Sequence, residues 1–106
     1  MFHIKRVFKA QPGQARKVAT LAYRAAEAYN QAGMRGDFSV YFNPGTTPGE
    51  KNIVVLQWTD DALRSVMRGD NDIPDKSLEM WRKLMAHTED NWIEINEFLT
   101  PDKMLD

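Results

Sequence analysis

Apolar and polar positions alternate from Phe2 to Ala10, with Phe2, Ile4, Phe8 and Ala10 on one face and His3, Lys5, Val7 and Lys9 on the other. That period of two predicts a first strand, and Arg6 interrupts its apolar face. Pro12-Gly13 closes the strand, and the pattern then changes: Val18, Leu21, Ala22, Ala25 and Tyr29 recur at spacings of three and four from Gln14 onward. This is an amphipathic helix, with Pro12 tolerated at its entry and Gly33 a natural stop. Alternation returns in Asp37 to Asn43, where Phe38, Val40 and Phe42 oppose Ser39 and Tyr41. Pro44 to Lys51 reads as a loop by its prolines and glycines. Ile53-Val54-Val55-Leu56 is apolar on both faces and ends at Trp58, so it predicts a strand covered on both sides.

Thr59-Asp60-Asp61 offers N-cap oxygens for a short helix with Leu63, Val66 and Met67 inward, closed by Gly69. Asp70 to Pro74 is a loop. A further helix opens at Pro74 or Asp75, with Leu78, Trp81, Leu84, Met85 and Thr88 on its inner side. Trp92 to Leu99 predicts the last strand, with Trp92 and Phe98 on one face and Ile93, Ile95 and Leu99 on the other. The residues from Thr100 to Asp106 form a short tail that could drape on a partner.

The order strand, helix, strand, strand, helix, strand predicts an α+β, ferredoxin-like sandwich: a four-stranded antiparallel sheet with helices on one face. Residues 1–106 read as one domain, since a single core absorbs this length. Val7, Ile53, Val55, Ile93 and Ile95 are expected on the face that the helices leave open. A contiguous apolar face of this kind needs cover, and a second copy of the chain supplies it, so a homodimer is expected.

Composition narrows the chemistry. The 42% hydrophobic and 27% charged content is that of an ordinary globular chain, and a net charge of -1 gives no field for nucleic acid or anionic membranes. The absence of cysteine excludes disulfides, thiolate metal sites and thiol nucleophiles. It agrees with a cytoplasmic location, as do a charged N-terminal segment and no apolar run of spanning length. Two distant histidines and no cysteine argue against a metal site. Asp70-Asn71-Asp72 lacks the remaining positions of a calcium loop, the segment from Gly45 to Lys51 lacks the spacing of a phosphate loop, and no Gly-x-Ser-x-Gly occurs.

The opening Phe8-x-Ala10-x-Pro12-Gly13, the segment from Val55 through Trp58 to Leu63, and the order of elements resemble the dimeric α/β-barrel superfamily. The resemblance is nearest to small proteins of the antibiotic-biosynthesis-monooxygenase type, and it covers roughly Phe2 to Leu99. It implies two ferredoxin-like subunits packed sheet to sheet, with a small pocket in each between sheet and helices. Members include cofactor-free oxygenases of aromatic polyketides, haem-degrading oxygenases, lactone isomerases and proteins with no known activity. The first strand contains no Asn of the kind haem degraders use, and no Asn sits one helical turn or two strand positions before Trp58, where the polyketide oxygenases' pattern would ask for one.

Candidate site residues follow from both readings. Arg6, on the helix-facing side of the first strand, is either the anchor of a carboxylate or enolate, or one half of a salt bridge, with Glu94 as a possible partner. His87 can exchange a proton near neutral pH and is the candidate base, or else an ordinary half-exposed histidine. Trp58 and Trp81 would form pocket walls, or are core fillers like Trp92. Tyr41 is a candidate hydroxyl donor, and His3 a candidate interface residue. The resemblance implies a cofactor-free, monooxygenase-like protein for a small aromatic or polyketide-like molecule, in which the substrate's own enolate or phenolate reacts with oxygen and neither metal nor flavin takes part. The alternatives are a non-catalytic ligand-binding or interaction module of the same fold, and a lactone or enol isomerase.

Overall fold

The computed structural model describes residues 1–63 and 73–106. Its elements run β1 (Phe2–Ala10), α1 (Ala15–Gln31), β2 (Phe38–Asn43), β3 (Ile53–Asp60), α2 (Asp75–Met85) and β4 (Thr88–Glu97), followed by a single 3-10 turn at Pro101–Lys103. The body of the short helix expected after Asp61, including Val66, Met67 and Gly69, lies outside the described residues. At its predicted start the Asp60 carboxylate accepts the Ala62 N–H at 3.2 Å.

The strands form one antiparallel sheet in the order β2-β3-β1-β4, with α1 and α2 on one face. This is the ferredoxin-like arrangement that the element order predicts. The overall extents of 47 × 39 × 19 Å are those of a slab of two layers. Among the described residues no helix is long and apolar enough to cross a membrane.

The helices form where the periodicity places them. In α1 the alanine-rich stripe Val18, Ala22, Ala25 and Ala26 is buried, and its small side chains let α2 approach closely. There Ser77, which has no exposed surface, donates its hydroxyl to the Ala25 carbonyl at 3.0 Å. That bond gives the buried hydroxyl a partner and ties the two helices together. The first helix ends on Gly33 at φ 74°, while the Met34 N–H reaches back to the Tyr29 carbonyl at 3.0 Å. In α2 the acidic Asp75 opens the first turn and Arg82 and Lys83 close the last, in the sense that the helix dipole favours. Phe8, Val18, Val54 and Leu84 have no exposed surface and mark the centre of the core between sheet and helices.

Register decides which side of the sheet each strand residue faces. Ile4 lies opposite Trp58 and Ile95, Arg6 opposite Leu56 and Ile93, and Phe8 opposite Val54 and Asn91. All of these face the helices. Val7, Ile53 and Val55 take the open face as expected, but Ile93 and Ile95 do not: they lie on the helix side, at an edge the helices leave uncovered, 52% and 46% exposed. Alternation groups residues by face without saying which face is which, and β4 is the strand where that choice went the other way. Val7 and Val55 are also already buried within the single chain. The exposed apolar area of the open face is therefore aromatic, from Tyr41, Trp92 and Phe98. Two boundaries also move: β3 continues through Trp58 to Asp60, and β4 starts at Thr88 rather than Trp92.

Candidate functional site: a cavity between sheet and helices

A cavity of about 340 Å³ opens between the helix-facing side of the sheet and the two helices, with Arg6, Leu56 and Trp58 as its floor. Tyr29 of α1, Leu78, Trp81 and Met85 of α2, and Arg35 and Phe38 beyond α1 form its walls. The volume is at the lower end of the range typical of small-molecule sites, about 300–1,000 Å³. Leu78, Trp81 and Met85 stand at helical spacing on one flank of α2, beside the buried stripe of Ser77, Met80 and Leu84. One face of the helix thus closes the core and the next lines the cavity.

Arg6 is held by aromatic rings rather than by a carboxylate. Its guanidinium carbon lies 5.5 Å from the Phe8 ring centroid and 5.4 Å from that of Trp81, and these two rings are 5.6 Å apart. Such contacts attract a cation without satisfying its N–H groups. Nη2 donates to the Asn91 side-chain oxygen at a long 3.3 Å, while Nε is buried with no hydrogen-bond partner. Glu94 is not its partner. Opposite Lys5 in the register, Glu94 faces the other side of the sheet, where it ion-pairs with Lys5 at 3.6 Å and accepts the Trp92 indole N–H at 2.8 Å. Burial pulls the Arg6 guanidinium below its ordinary range, with the neighbouring Tyr29 partly opposing the shift. It stays charged regardless.

Two residues absent from the sequence-based candidates complete the walls. The Trp81 indole N–H donates to the Tyr29 hydroxyl at 3.0 Å, joining residues that are 52 apart in sequence. Arg35 lies with its guanidinium 5.3 Å from the Trp58 ring centroid. It sits in the turn after α1, where the Asn30 amide donates to the carbonyls of Arg35 at 3.3 Å and Gly36 at 2.9 Å. Tyr29 is indistinguishable in sequence from another member of the apolar stripe. Arg35 lies in a polar turn with no periodicity to mark it.

Of the predicted site residues, Arg6, Trp58 and Trp81 meet at this cavity, and His87 and Tyr41 do not line it. Helix α2 stops at Met85, so His87 leaves the flank that carries Trp81. Its backbone bonds to Leu84 and Gln11 fix it at the Ala10 end of β1. Tyr41 alternates with Val40 and Phe42 and so faces the open side, donating to the Gln57 side-chain oxygen at 3.3 Å. On the same side the His3 Nε2 and the Gln57 Oε1 are 3.0 Å apart.

Comparison with known proteins bears on the fold. No family model matches the chain, and no curated protein matches it in sequence. Among solved structures it is similar to a NIPSNAP family protein from Agrobacterium tumefaciens, with 18% identity and a TM-score of 0.69 over 91% of this chain and 90% of that one. It is also similar to an uncharacterized NIPSNAP domain protein from Burkholderia xenovorans, with 12% identity and a TM-score of 0.72 over 95% and 97% of the two chains. A structural-genomics protein from Agrobacterium tumefaciens gives 17% identity and a TM-score of 0.56 over 92% of each. At these identities the likeness establishes the ferredoxin-like α+β fold over nearly the whole chain.

Proposed function

We propose that this protein binds a small planar molecule, aromatic or polyketide-like, in the cavity between sheet and helices, and that it does so as a homodimer. The observation that carries the reading is Arg6: a charged group set on the cavity floor between two aromatic rings, with no carboxylate among its described partners. Its terminal N–H groups make one long hydrogen bond, to Asn91, among the described residues, and a bound acceptor would complete them, a hydrogen bond to a charged group being worth about 1.5–3 kcal/mol. The flat faces of Trp58 and Trp81 and the flexible Met85 suit a ring system held by apolar contact.

Binding is favoured over turnover by the position of His87. Cofactor-free oxidation and lactone or enol isomerisation both need a proton acceptor at the ligand. The described cavity residues that carry charge or a hydroxyl are Arg6, Arg35 and Tyr29, with neither carboxylate nor imidazole among them. In an oxidative reading Arg6 would orient the anion and Trp58 and Trp81 would remain walls, but His87 is not placed to be the base. Dimerisation is supported by Tyr41, Trp92 and Phe98 on the uncovered sheet face, which a second copy would bury.

The test is a titration of the intact protein with naphthalene derivatives, read by tryptophan fluorescence, alongside an oxygen electrode. Saturable quenching without oxygen uptake is the expected result. Failure of any planar aromatic to saturate at millimolar concentration refutes the binding reading. Sustained oxygen uptake would move the protein into the enzyme class.

A further inference from the structure

Among the described residues that line the cavity, the charged or hydroxyl-bearing ones are Arg6, Arg35 and Tyr29, and two of them flank one indole. Arg6 lies over the ring of Trp81 with its guanidinium carbon 5.4 Å from the centroid, and Tyr29 sits at the same indole's N–H, 3.0 Å from its nitrogen. An indole N–H can only donate, so the Tyr29 oxygen is the acceptor in that pair. The phenol's own proton must then point to another acceptor, and no acceptor for it occurs among the described residues. Arg6 is in a similar position, its terminal N–H groups making one long hydrogen bond, to Asn91 at 3.3 Å, among the described residues. Both groups line the cavity and both contact Trp81, one over its ring and the other at its N–H.

Building on the binding reading above, we infer that Arg6 and Tyr29 together form a carboxylate site, and that the ligand is an aromatic carboxylic acid whose ring lies between Trp58 and Trp81. A carboxylate offers two oxygens with about four acceptor directions, enough to meet the guanidinium with one and the phenol with the other. A phenolate or enolate offers a single oxygen. A neutral amide offers one acceptor oxygen without charge and brings donors of its own, and an amine brings a cation toward Arg6. Tyr29 is thus a specificity residue, fixed in its rotamer by the N–H of Trp81.

The test compares 2-naphthoate, 2-naphthamide and 2-naphthol on the intact protein by calorimetry and tryptophan fluorescence. The ring is constant, so the differences report the acid group. A hydrogen bond to a charged group is worth enough to predict that naphthoate binds at least about tenfold more tightly than either isostere. Tyr29→Phe should weaken naphthoate about tenfold and naphthamide by clearly less, since the bond to a charged acceptor is the stronger one, and Arg6→Met should remove the preference altogether. Equal affinity for naphthoate and naphthamide would overturn the carboxylate site while leaving the cavity reading standing. Saturation by none of the three overturns both. Equal weakening of acid and amide by Tyr29→Phe would make Tyr29 a structural support of Trp81 and overturn its role in selectivity. The wild-type comparison decides the carboxylate question even if the variants fold poorly.

Discussion

Replacing Arg6 with Met separates a functional arginine from a structural one, because the two predict opposite changes in stability. In the free protein the side chain brings a guanidinium into a half-buried position, leaves Nε without a partner and makes one long hydrogen bond to Asn91. The unmade donor costs about 1–3 kcal/mol. Against this stand two cation–π contacts at 5.5 and 5.4 Å, worth about 0.5–1 kcal/mol each at exposed sites and more where dry. Met returns part of that through sulfur–aromatic contact with Phe8 and Trp81, about 0.3–1.5 kcal/mol. Asn91 is only half-buried and can turn to water. The balance favours the variant: Arg6→Met should equal or exceed the wild type, by about 0–2 kcal/mol on these component values. At roughly 4 °C per kcal/mol for a domain of this size, Tm should stay level or rise by several degrees. Urea unfolding at fixed pH, with both chains at one concentration, measures it. A loss of about 2 kcal/mol or more would refute the reasoning, since it would show that the arginine holds the free protein together.

Four further outcomes follow from the same geometry. Ser77→Leu should lower stability by about 1–3 kcal/mol in urea unfolding, because the closely packed alanine stripe of α1 leaves no room for added methyl groups. Leu84→Ala, at a site with no exposed surface, should cost about 2–5 kcal/mol by the same assay. His87→Gln should leave naphthoate affinity unchanged by calorimetry, since His87 does not line the cavity. The Glu94 carboxyl, held below its ordinary value of 4.5 by the Trp92 N–H and then by Lys5, should titrate low by NMR and move back up in Trp92→Phe. The sign follows from the depressed value: whatever stability this pair contributes is present above the ordinary glutamate range and is lost as pH falls through the folded midpoint.

Much of the fold is legible in the sequence because each element carries its own period. The alternation of Phe2 to Ala10, the stripe from Val18 to Tyr29 and the punctuation at Gly33 lead to β1 and α1 without tertiary information. That Arg6 shares a face with Phe2, Ile4 and Phe8 also follows from alternation alone. What alternation leaves open is the sign of a face. Ile93 and Ile95 join the helix side, and Glu94 meets Lys5 instead of Arg6, because pairing with β1 fixes the register of β4. The site is legible only in part for a related reason. Trp58, Trp81 and Arg6 stand out by size or by charge on an apolar face. Tyr29 becomes a functional candidate only through its bond to Trp81, and Arg35 only through its place over Trp58. His87 shows the opposite error, a residue chosen for its chemistry that sits past the end of the helix expected to carry it.

The sheet order β2-β3-β1-β4 puts β1, the earliest of the four strands in sequence, in the interior of the sheet, hydrogen-bonded on both edges. Its partners lie far along the chain, at Ile53–Asp60 and Thr88–Glu97, so β1 must wait for both neighbours until after α1 and β2 have been made. Pairings this distant in sequence close slowly, and unpaired strand edges invite association with other chains meanwhile. The apolar face of Phe2, Ile4 and Phe8 therefore has only α1 to lean on until β3 emerges. Arg6, a charge in the middle of that face, works against sticking on a nascent chain in the same way that it works against stability in the finished one.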